Sequence, residues 1–182
     1  MTAILRRLPF FEQSSSIFVQ GAAARVKAHQ IVAWASLTAT NVRTPEPGCP
    51  RFPVIIDTGN TQRFSIKASH LRHWAGTESR ALFRLGTTQH GGTLFPLHAA
   101  RLWIYRNQPH ERDAFMEMAP YLLEMRKGIV VYPDNAPLAP RLPLLGLRAL
   151  RENRLHLHLD AERGRVSLRS PDWATWLARW LR

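Results

Sequence analysis

Phe52-Pro53-Val54-Ile55-Ile56-Asp57-Thr58-Gly59-Asn60-Thr61 is the most informative stretch of the chain. Residues 52–56 make a short, continuous apolar run that stops abruptly at an acid. That pattern reads as a buried strand delivering Asp57 into a turn. Thr58 offers a hydroxyl beside the acid, and Gly59 lets the backbone turn tightly and bring an amide close to the carboxylate. The same letters also describe an ordinary strand-end acid that satisfies its own loop. Two readings therefore stand side by side: a structural turn, or a carboxylate held for chemistry.

Downstream, Phe64 and Ile66 alternate as a second strand, and residues 68–74 form a helical turn. Residues 81–85 and 93–97 flank Gly86-Thr87-Thr88-Gln89-His90-Gly91-Gly92, a pattern that predicts a projecting hairpin. Residues 102–105 read as a strand. The pattern is weakest over 107–141, where a helix is expected around 113–119 and a strand at 129–132 before a Pro-rich loop. Residues 142–145 are a strand ending at Gly146, residues 147–153 a short helix, and 156–160 pairs through 161–164 with 165–168. Upstream, Ile31, Ala33, Ala35 and Leu37 alternate with Val32 and Trp34 within 29–40, and Thr44-Pro45-Glu46-Pro47-Gly48-Cys49-Pro50 supplies a turn-rich connection. Many short strands with few helices predict a mostly β, barrel-like domain.

The ends read differently. Residues 1–28 are expected to be an N-terminal extension, 29–169 the domain, and 170–182 an amphipathic helix. Ser170-Pro171-Asp172 supplies its N-cap, and Trp173, Trp176, Leu177, Trp180 and Leu181 form an apolar stripe. Such a stripe docks on its own domain, on a dimer mate or on a membrane surface.

Composition narrows the function classes. The 182 residues are 45% hydrophobic and 21% charged, enough for a real core and inconsistent with wholesale disorder. Lys+Arg is 25 against Asp+Glu 13, a formal charge of +12. The Arg residues are scattered, and no recognition helix, zinc finger or RNA-binding signature accompanies them, so a solvated basic surface is expected and no specific nucleic acid. The one cysteine excludes an intrachain disulfide framework. His156 and His158 share a strand face and His70 and His73 a helical turn, but neither pair has a third ligand at recognisable spacing. No metal and no cofactor are expected. The N-terminal apolar run is too short for a secretory signal, and a soluble, cytoplasmic chain is expected.

With the motifs in place, a family resemblance appears. Residues 52–66 resemble the active-site strand and loop of the retropepsin-like aspartic peptidases, marked by an apolar run followed by Asp-Thr/Ser-Gly. The second mark of that family, apolar residues and a glycine before a short helix, is similar to Pro143-Leu144-Leu145-Gly146-Leu147-Arg148-Ala149-Leu150. A Gly-bearing hairpin lies between the two, in the position of a flap. The resemblance covers roughly residues 29–169. It implies a closed acid-protease β barrel with a flap hairpin, and hydrolysis of peptide bonds by a water held between two aspartates. No second Asp-Thr/Ser-Gly occurs in the chain, so it implies a homodimer in which Asp57 faces Asp57. It further implies Asp57, Thr58 and Gly59 as the catalytic loop, with Asn60, Thr61, Gly91, Gly92, Leu145 and Gly146 lining the polypeptide-binding cleft. Asn60 stands where many relatives carry Ala or Ser, and Leu147 where retroviral relatives carry Arg. The alternatives are a non-catalytic peptide-, nucleic-acid- or membrane-binding module on the same barrel, and a barrel that binds peptides without cleaving them.

Overall fold

The computed structural model describes residues 2–171, so the expected C-terminal helix lies outside the described residues. The chain is mostly β. In order it forms β1 (Thr2–Pro9), β2 (Ser15–Val19), β3 (Ala22–Val26), β4 (Val32–Thr38), β5 (Phe52–Asp57), β6 (Phe64–Lys67), α1 (Ala68–His73), a 3-10 turn (Ser79–Ala81), β7 (Arg84–His90), β8 (Thr93–His98), β9 (Arg101–Ile104), β10 (Tyr121–Glu124), β11 (Ile129–Tyr132), β12 (Leu144–Gly146), α2 (Leu147–Glu152), β13 (His156–Asp160) and β14 (Arg165–Ser170).

Nine strands share one sheet in the order β10-β9-β4-β5-β12-β6-β11-β8-β7. The late strand β12 is inserted between β5 and β6, parallel to β5 and antiparallel to β6. This insertion explains why residues 52–56 are continuously apolar. β5 is covered on both faces and has β4 and β12 on its two edges, so every residue up to Ile56 is buried.

The closed barrel expected from the sequence is not formed. Among the described residues the sheet has two ends, β10 and β7, that do not pair with each other. The outer hairpin β7–β8 packs instead through Phe95 onto a small cluster with Val130 and Tyr132, joined by Leu97, Ala136 and Ala139. That cluster lies apart from the main core, which holds Phe52, Phe64, Ile66, Leu102 and Leu145. The hairpin itself is longer than the sequence suggests. Most of residues 86–92 belongs to β7, and the turn reduces to Gly91-Gly92, both in the left-handed region at φ +55° and +80°.

A further departure has a local cause. No helix forms at 113–119. Asn107, 2% exposed, exchanges hydrogen bonds with the Arg6 backbone and donates to the Glu111 carbonyl. Phe115 packs edge-on against Trp34 and Tyr105 while Arg51 stacks over both Phe115 and Tyr105. Side-chain ties thus take over from helical bonds. Within 1–28, β1 pairs with β14 in a second sheet, β1-β14-β13, and Ile4, Leu5 and Leu8 enter the main core. β2 and β3 form a separate hairpin.

Candidate active site

Asp57 ends β5 and is partly exposed, while Gly146 ends β12 directly opposite it in register. Beyond Asp57 the chain folds back on itself. The Gly59 amide donates to Asp57 Oδ1 at 2.9 Å, and the Asn60 amide donates to the Asp57 carbonyl at 3.2 Å. The Gln62 amide then donates to Asn60 Oδ1 at 3.1 Å, a second turn built on a side-chain acceptor. Finally the Gly146 amide donates to the Arg63 carbonyl at 2.9 Å and stitches the end of the loop to β12.

Gly146 is required by space rather than by backbone conformation, since its φ is −86°. A Cβ built there would lie 1.9 Å from the Gln62 carbonyl oxygen and 2.7 Å from that of Asn60. Real contacts of that length do not occur, so the 60–62 backbone seats itself on the bare face of Gly146. The two sequence motifs, 89 positions apart, therefore form one object: a carboxylate loop and the glycine it rests on.

Around this object Thr58, Gly59 and Thr61 are exposed, and Leu147, the first residue of α2, is 50% exposed. Leu145 is fully buried in the main core, behind the loop rather than on its surface. Gly91 and Gly92 sit at the hairpin tip, whose contacts run elsewhere. His90 Nδ1 is 2.8 Å from the Tyr132 hydroxyl, and the side chain of Leu138 occupies the space a Cβ on Gly91 would need. No direct hydrogen bond joins the tip to residues 57–61 among the described residues.

One structural support of this loop left no trace in the sequence. Arg63, just past the loop, forms a two-pronged pair with Glu152 at the end of α2, at 2.6 and 2.5 Å, with side-chain exposures of 12% and 28%. The Arg63 hydrogen bonds hold the Glu152 carboxyl below the usual range, with Lys127 and Arg126 adding to the effect against a smaller opposing push from burial. Such a fork fixes geometry as well as charge, and here it clamps α2 to the base of the Asp57 loop. Nothing in either local sequence marks residues so far apart as partners.

Chemically, the site presents one oriented carboxylate. Among the described residues no basic side chain lies within ion-pair distance of Asp57, and no group of three or more His, Cys, Asp or Glu side chains could hold a metal. One chain thus offers a single acid or a single base. Comparison with protein families, with curated proteins and with solved structures returns no match.

Proposed function

We propose that the protein is an aspartic endopeptidase of retropepsin-like type, active as a homodimer in which Asp57 of each protomer faces Asp57 of its partner. The observation that carries this reading is the seating of the 60–62 backbone on Gly146, which ties the Asp-Thr-Gly loop to the Leu-Leu-Gly strand and leaves no room for any other residue at 146. An ordinary strand-end acid needs no such distant glycine.

In this mechanism two carboxylates brought close together cannot both ionise, so the pair shares one proton. The ionised member takes a proton from a bound water, whose oxygen attacks the peptide carbonyl carbon. The protonated member hydrogen-bonds to the carbonyl oxygen as charge develops there. Collapse of the tetrahedral centre breaks the C–N bond, and the amine leaves with the proton. The titration belongs to the pair rather than to either aspartate. In this reading the Gly59 amide on Oδ1 keeps the carboxylate from swinging, Thr58, exposed beside it, hydrogen-bonds across the two-fold axis of the dimer, and no cofactor enters the chemistry. The β7–β8 hairpin serves as the cover over a polypeptide substrate.

The test is cleavage of a peptide library by purified wild-type protein and by Asp57→Asn, followed by mass spectrometry. Scission by the wild type and its loss in the variant is expected. Equal cleavage by both overturns the proposal. Peptide binding without scission in either selects a domain that binds peptides without cleaving them.

A further inference from the structure

Tyr132 is a side chain that the proposed chemistry leaves unused. It ends β11, is 1% exposed, and points to the face of the sheet away from the main core, where its ring packs at 4.5 Å against Phe95. Phenylalanine would fill that space equally well, and a buried phenol needs a partner for its hydroxyl. The partner is His90, the last residue of β7, whose Nδ1 is 2.8 Å away and whose ring stands edge-on at 6.1 Å. The next two residues are the turn, Gly91-Gly92, and Leu138 from the Pro-rich loop lies directly against Gly91. Two contacts therefore grip the tip from one side, one polar and one apolar. Burial raises the phenol above its ordinary value, so it stays neutral, while the Ser65 hydroxyl opposes that shift. Asn60, which directly follows Gly59 in the Asp57 loop, reaches the same Ser65 hydroxyl through its Nδ2 at 3.5 Å, the long limit of a hydrogen bond.

We propose that Tyr132 and His90 form a latch that holds the hairpin tip against the 133–140 loop and so fixes the position of the β7–β8 hairpin. Tyr132 is on this view a positioning residue acting through His90. The latch stands on the geometry alone, whereas its effect on turnover rests on the peptidase reading.

Amide hydrogen exchange of the full-length protein separates the two. In Tyr132→Phe, which keeps the ring and removes only the hydroxyl, amides of residues 88–95 should exchange about tenfold faster while β5 and β12 are unchanged. His90→Gln, which leaves the buried cluster untouched, should give the same acceleration, and the double variant no more than either single one. Unchanged tip exchange in both single variants, or effects that add in the double, overturns the latch. For a cleaved peptide, both variants should raise KM about threefold or more with kcat within about twofold. Faster tip exchange with KM unmoved overturns the positioning role. Wild-type protein that cleaves nothing refutes the peptidase reading instead, and the exchange result still decides the latch.

Discussion

At the scale of single residues, the glycines of the site are not equivalent. A methyl group on Gly146 collides with backbone at 1.9 Å, whereas on Gly59 it meets Asp57 Oδ1 at a tolerable 3.3 Å. Gly146→Ala should therefore cost about 3 kcal/mol, the upper end of overpacking, and Gly59→Ala about 1 kcal/mol or less. Urea denaturation of both variants checks the order, and equal midpoints would contradict it. His70 predicts a separate acid sensitivity. Its ring stacks on Trp74 at 3.8 Å, its Nδ1 is buried without a hydrogen-bond partner among the described residues, and burial together with Lys67 lowers it from 6.5 to about 4, with Asp134 opposing. The unfolded chain takes up this proton near pH 6.5 while the folded chain resists it until about pH 4, so stability is lost as pH falls across that window. His70→Phe should flatten the stability profile between those limits, as followed by thermal melts at stepped pH. Asp57 was legible at this scale because strand, acid, hydroxyl and glycine are contiguous. The need for Gly146 was legible only as a motif, since its cause is backbone 84 to 86 positions away.

Among the elements, the Arg63–Glu152 fork joins the loop after β5 to α2. Arg63→Met leaves Glu152 unpaired and should destabilise the protein by about 1–2 kcal/mol, a value kept modest because Glu152 retains contact with water. Because Glu152 is held below its ordinary 4.5, the stabilisation is present above that pH and is lost as pH falls through the depressed value. The variant should therefore differ from wild type at pH 7 and converge with it in strong acid, by the same melts. Strands with a clear apolar pattern, β5, β6, β11 and the β13–β14 pair, were legible from the sequence. β1 was not, because Arg6 and Arg7 interrupt its apolar face at a bulge, where Arg7 turns to φ +46°. The helix expected near 113 failed for the opposite reason. Its composition permits one, but Asn107 and the Trp34–Phe115–Tyr105 group spend the segment on tertiary contacts.

For the whole molecule, sheet order was beyond local pattern. A strand from residue 144 slips between two strands from residues 52–67, and only long-range register reveals it. Charge is also a property of this scale. Each chain carries +12, so a dimer carries twice that, and long-range attraction should favour acidic peptides. For matched acidic and neutral peptides, kcat/KM of the acidic one should fall with added salt while that of the neutral one stays level. The central claim is that one catalytic centre is built from two copies of Asp57, and subunit mixing tests it most directly. Wild-type protein is equilibrated with increasing Asp57→Asn protein at constant total concentration, and peptide cleavage is measured. The account predicts activity that falls with the square of the wild-type fraction, since mixed dimers lack one carboxylate. Activity that falls only in direct proportion to the wild-type fraction, or wild-type protein that cleaves nothing, would contradict it.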